Sequence, residues 1–168
     1  VMAGWKVFVD KIRTYVDSKN FSEAKSELRA GLSCYPHNLN LLIAASDVYR
    51  GSGDHEKSLE YGELLIAHHP ENWNGYGRAA QDLYVLQRYE EAQKKINVGL
   101  ETFPNRVNLL RIASDACRGL GSREKSLEYG ELLIAHHPDN WIGYGRAAQD
   151  LCALKRYEEA QEKINFGL

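Results

Sequence analysis

Between residues 73 and 104 the apolar positions recur at intervals of three and four. Tyr76, Ala79, Ala80 and Leu83 form one such series; Tyr89, Ala92, Ile96, Gly99 and Leu100 form a second. Side chains at that spacing share one stripe of an α-helix, whereas a half-buried strand alternates with period two. The segment therefore predicts two amphipathic helices, with Gln87-Arg88 as a tight turn between them. In the flanking segments the same slot holds Gly51-Ser52-Gly53 and Gly119-Leu120-Gly121, whose glycines can adopt the positive φ of a helix stop. Asn38, Asn72 and Asn140 stand just ahead of a first helix, where a side-chain oxygen accepts from free backbone N–H groups. No stretch carries the β-branched alternation of a strand, so the chain reads as helix, turn, helix, turn and the fold class is all-α.

The pattern repeats. Pro36, Pro70, Pro104 and Pro138 are the only prolines, and each lies 34 residues after the last. A period of 68 overlies the first: when residues 39–100 are set on residues 107–168, only 15 of the 62 pairs differ, and Trp5, Trp73 and Trp141 follow the same interval. Fixed periods of this length are the mark of a helical solenoid. The predicted organisation is a single array over residues 1–168, with units at about 5–38, 39–72, 73–106, 107–140 and 141–168, the last one incomplete.

Tyr76-x2-Ala79-Ala80-x2-Leu83, then Ala92-x3-Ile96, then Pro104 resembles the tetratricopeptide repeat, whose signature is W-x2-L-G-x2-Y, A-x3-F and P over 34 residues. The string RYEEAQ at 88–93 and 156–161 is similar to the start of that family's second helix. There are departures: the family's glycine is Ala80 or Ala148 in one unit type and Ser46 or Ser114 in the other, and its alanine becomes Ser58 and Ser126. These swaps keep small residues where helices approach. The resemblance implies a right-handed superhelical solenoid of antiparallel helix pairs, whose first helices line a concave surface that binds peptides. It implies a non-enzymatic protein–protein interaction scaffold with a peptide or protein partner. By slot, the groove residues are Asn40, Asp47 and Arg50, then Asn74, Gln81 and Tyr84, then Asn108, Arg111, Asp115 and Arg118, and then Gln149. The competing reading of Asp47/Arg50 and Asp115/Arg118 is an i, i+3 ion pair on a solvated face. The family's Lys/Asn/Arg clamp for acidic chaperone tails is not matched, because its slots hold Val9, Arg13, Ala44, Asn74 and Arg78.

Charge and composition narrow the partner. The formal charge is -2, with 21 basic residues interspersed among 23 acidic ones, so nothing resembles the basic field that nucleic-acid binding requires. No apolar run nears the roughly 18–20 residues of a membrane span, and no signal-peptide pattern opens the chain. Cys34, Cys117 and Cys152 are odd in number and widely spaced, which argues against a disulfide framework and for a reducing compartment; the expected location is cytoplasmic.

Three features imitate chemistry. His68-His69 and His136-His137 look like metal ligands, but adjacent helical residues point about 100° apart and make no chelate. At a helix C-terminus before proline they suit the negative end of the macrodipole. Gly75-Tyr76-Gly77-Arg78-Ala79-Ala80 matches a dinucleotide fingerprint that has meaning only after a strand, and here it opens a helix. Glu90-Glu91 and Glu158-Glu159 complement a helix N-terminus. No catalytic, metal-binding or cofactor-binding residue is expected. The last helix carries Tyr157, Ala160, Ile164 and Leu168 on one face with no polar helix after it, which predicts self-association through the C-terminal end, as a homodimer or larger assembly. Two other functions compete with the scaffold: an assembly module, and the repeat segment of a larger enzyme such as a transferase.

Overall fold

The computed structural model describes residues 4–167, and among these there is no strand. The helices are α1 (Gly4–Asp17), α2 (Phe21–Cys34), α3 (Leu39–Gly51), α4 (His55–His68), α5 (Trp73–Val85), α6 (Tyr89–Thr102), α7 (Val107–Gly119), α8 (Arg123–His136), α9 (Trp141–Ala153) and α10 (Tyr157–Gly167). Three of the first helices, α3, α5 and α9, begin where an asparagine cap predicts. Asn38 Oδ1 accepts from the N–H groups of Asn40 at 3.0 Å and Leu41 at 3.2 Å. Asn72 and Asn140 accept from Asn74 and Ile142, both at 3.0 Å. The paired glycines divide their work. Gly53 and Gly121 take φ values of 81° and 73° and reverse the chain, whereas Gly51 and Gly119 end their helices under an aromatic ring. A Cβ on Gly119 would lie 2.5 Å from the Tyr89 ring.

The chain divides into two compact units, residues 1–86 and 87–168. In the first, α1 packs on α2 and α3, α3 on α4, and α4 on α5. Its core joins Val9, Ile12, Ala24, Leu28, Leu41, Ala44, Ala45 and Val48. In the second, α6 packs on α7, α7 on α8, α8 on α9, and α9 on α10. There Leu127, Ala147, Ala148, Leu151 and Ala160 form one cluster.

Small residues set the crossings. A Cβ on Gly62 would stand 3.0 Å from the backbone N of Ala79, and one on Gly75 would stand 2.9 Å from the N of Ile66. Two backbones meet at the α4–α5 crossing, which only glycine permits. Gly130 and Gly143 repeat the contact at α8–α9. Gly75 is thus a packing residue inside α5, and the glycine-rich string there forms no phosphate-binding loop.

Candidate functional site

Within each compact unit the first helices carry a polar network that joins successive helix pairs. Arg50 at the end of α3 reaches Asp82 on α5 through two parallel bonds, Nε to Oδ1 at 3.0 Å and Nη2 to Oδ2 at 2.8 Å, and also donates to the Arg78 carbonyl at 3.2 Å. Asp82 is fully buried. It also accepts from Ser58 Oγ at 2.6 Å and meets His55 Nδ1 at 3.0 Å, while the Ser58 and Ser46 hydroxyls lie 3.0 Å apart. Arg78 on α5 returns to α3, donating through Nη1 to Asp47 Oδ1 at 2.5 Å and to Ser46 Oγ at 3.2 Å. Two reciprocal ion pairs therefore stitch α3 to α5.

The second unit repeats the device. Arg118 grips Asp150 at 2.8 and 2.9 Å, Ser126 donates to the same carboxylate at 2.6 Å, and Arg146 holds Asp115 at 2.7 and 3.1 Å. One member changes: Arg123 Nη1, 3.2 Å from Asp150, stands where the first unit has His55. Burial by itself would raise the pKa of Asp82. Hydrogen bonds from Arg50, His55 and Ser58 outweigh it and hold the carboxyl below the usual range, so Asp82 is ionised.

This network corrects the i, i+3 reading of Asp47/Arg50 and Asp115/Arg118, since each of the four side chains pairs across to the next helix pair. Asp82 and Asp150 were missed in the sequence, although a signal was there. Asp82 continues the apolar series Gly75, Ala79 at helical spacing, and a carboxylate repeated at one buried slot implies a cation beneath it.

Among the expected groove residues, Asn40, Asp47 and Arg50 share a cleft of about 510 Å³ between α1 and α3 with Val9, Ile12 and Ile43. Arg111, Arg118 and Gln149 share one of about 620 Å³ between α7 and α9 with Trp141, Ile142, Arg146 and Ile164. Asn74 donates its side-chain amide to Asn72 at 2.8 Å, extending the cap. Gln81 and Tyr84 are half-buried on α5, and Asn108 is exposed at the start of α7. In the expected self-association set, Tyr157 and Ile164 are exposed. Ala160 corrects the expectation: it is buried in the cluster with Ala147 and Leu151 and offers no surface. Leu168 lies outside the described residues.

The paired histidines have a structural duty. His69 Nε2 donates to the His37 carbonyl at 2.7 Å and His137 Nε2 to the Asn105 carbonyl at 2.5 Å, each reaching back 32 residues. His68 stacks on His37 with ring centres 3.8 Å apart. Among the described residues no group of three or more His, Cys, Asp or Glu side chains is placed to hold a metal ion, and no helix is long and apolar enough to cross a membrane. Burial raises the pKa of the Cys117 thiol, the reverse of what a thiolate nucleophile needs.

No protein-family model matches the sequence. Solved structures do resemble it. MamA residues 41 to the end from Desulfovibrio magneticus RS-1 is 13% identical with a TM-score of 0.81, covering 99% of this chain and 95% of its own. PilF of Pseudomonas aeruginosa is 18% identical with a TM-score of 0.82, covering 97% of this chain and 74% of its own. Both are tetratricopeptide-repeat proteins. At these identities the likeness establishes architecture and nothing finer, and it agrees with the helix pairs, the 34-residue period and the small-residue crossings: the chain has the tetratricopeptide-repeat fold.

Proposed function

We propose that the protein is a non-enzymatic scaffold that holds a peptide or protein segment against the faces lined by the first helix of each pair. The observation that carries this reading is the placement of Asn40 and Gln149. Each lies in a partly apolar cleft beside side chains already fixed by ion pairs, so the cleft is shaped before a ligand arrives. Amides suit an extended backbone: Asn40 offers both a donor and an acceptor, and Gln149, whose Oε1 already accepts from Arg118 Nη1 at 2.7 Å, offers its N–H groups. The test uses peptides selected from a random library on the immobilised chain and measured by fluorescence anisotropy. Asn40→Ala or Gln149→Ala should weaken a selected peptide by at least about 1 kcal/mol with unfolding midpoints unchanged. Equal binding by both variants would move the site to the outer helices.

Self-association through the α9–α10 face is a second reading, supported by an internal comparison. Ile96 on α6 is fully buried, whereas its counterpart Ile164 on α10 is 43% exposed and Trp141 is 71% exposed. A concentration-dependent mass in light scattering, lost in Ile164→Glu, would support it; a monomer at every concentration would sink it.

A further inference from the structure

The two clefts between successive first helices, one in each compact unit, differ in charge. The α1–α3 cleft is lined by Arg13 and Arg50 against Asp17 and Asp47. The α7–α9 cleft is lined by Arg111, Arg118 and Arg146 and, among the described residues, by no carboxylate. Of these three, Arg118 is neutralised by the buried Asp150 and Arg146 by Asp115. Arg111 makes a single contact of 3.4 Å to that same Asp115, which already accepts two bonds from Arg146. One positive charge is thus left over. It faces an apolar wall of Trp141, Ile142 and Ile164, where solvent screening is reduced.

The 68-residue counterpart of the α7–α9 cleft is the α3–α5 face, and divergence between these two copies placed the surplus cation. The positions of Arg111 and Ile142 are held by Ile43 and Asn74 in the first copy, while Arg118, Arg146, Trp141 and Gln149 match Arg50, Arg78, Trp73 and Gln81. The frame is shared, and the cation and the apolar residue are specific to the second.

We propose that the α7–α9 cleft takes a protein segment in which an acidic side chain neighbours an apolar one, the carboxylate on Arg111 and the apolar group on Trp141, Ile142 and Ile164. This rests on the scaffold reading and names the chemistry of its partner. A guanidinium binds a carboxylate through two parallel bonds, and that pairing complements the surplus charge of the cleft.

Anisotropy on the whole chain with three labelled octapeptides, alternating Leu with Asp, Asn or Lys, provides the test. The Asp peptide should bind on the order of tenfold more tightly than the Asn peptide, as expected for one charge-assisted contact, and the Lys peptide least. Arg111→Ile places the residue of the first copy there and should erase the Asp-over-Asn preference. Ile142→Asn should weaken both peptides alike. Far-UV circular dichroism checks that each variant folds. Equal binding of Asp and Asn peptides to the parent, or a preference that survives Arg111→Ile, overturns the proposal. The scaffold reading still stands in that case if Ile142→Asn weakens both. If none of the peptides binds a monomeric protein, both readings fall. Failure of the Asp peptide on a protein that is dimeric and becomes monomeric with Ile164→Glu overturns the proposal in favour of a second copy as occupant.

Discussion

Asp82→Ala removes the acceptor on which Arg50, His55 and Ser58 converge. Breaking a buried ion pair from one side costs about 3–5 kcal/mol, because the partner is left desolvated and unpaired. The low end applies, since the Arg50 side chain keeps 23% of its exposure and can rehydrate. We therefore expect a loss of about 3 kcal/mol, which at a urea slope of about 2 kcal/mol/M lowers the midpoint by roughly 1.5 M. Repeat arrays do not always unfold as one, so amide exchange should be read alongside, with protection falling further in α5 than in α9. A double-mutant cycle with Arg50→Ala isolates the pair, and a coupling of at least about 1.5 kcal/mol is expected. Additive losses, or a cost for Asp82→Ala below about 1 kcal/mol, would refute the reasoning. The pH dependence adds a check of sign. The folded pKa of Asp82 lies below its unfolded value, so this stabilisation is complete above the unfolded value of about 4 and is lost as pH falls through the folded one. Asp82→Asn should flatten that acid limb.

Gly62→Ala should destabilise by about 1–3 kcal/mol, read as a lower urea midpoint, because its Cβ would press on the Ala79 backbone, which has no side chain to swing aside. Gly53→Ala meets nothing within 4 Å yet should cost about 1 kcal/mol through its φ of 81°, and a neutral result would show that the turn relaxes. His69→Ala should cost about 1 kcal/mol in thermal or urea melts by releasing the His37 carbonyl. Added zinc should leave the melting temperature of the parent unchanged; a rise that disappears when His68, His69, His136 and His137 become Gln would make the histidines a metal site.

Much of what is decided within one turn of chain was legible in the sequence, the Asn20 and Asp54 caps of α2 and α4 excepted. The apolar stripes of α5 and α6, the asparagine caps and the glycine stops depend on neighbours a few residues away, and the 68-residue duplication repeats them except at Asn38, whose counterpart is Arg106. Such local terms carry their own geometry, so the helix pairs follow without knowledge of what they pack against. Of the groove slots that the tetratricopeptide resemblance implies, Asn40, Arg111 and Gln149 lie in clefts, and their part in holding a partner is a proposal. Only the tertiary structure chose the partners of the charges. Asp47 and Arg50 suit an i, i+3 pair as well as two separate clasps at separations of 31 and 32 residues. Spacing along the chain does not distinguish these, because the deciding quantity is burial. Asp82 is sealed from water by the packing of α4 on α5, and an ionised carboxylate without solvent must take its counter-charge from wherever the next helix brings it. Likewise the packing of α10 on α9 buries Ala160 and leaves Ile164 exposed four residues later on one apolar stripe, a difference made by what lies across the stripe and not by the stripe itself.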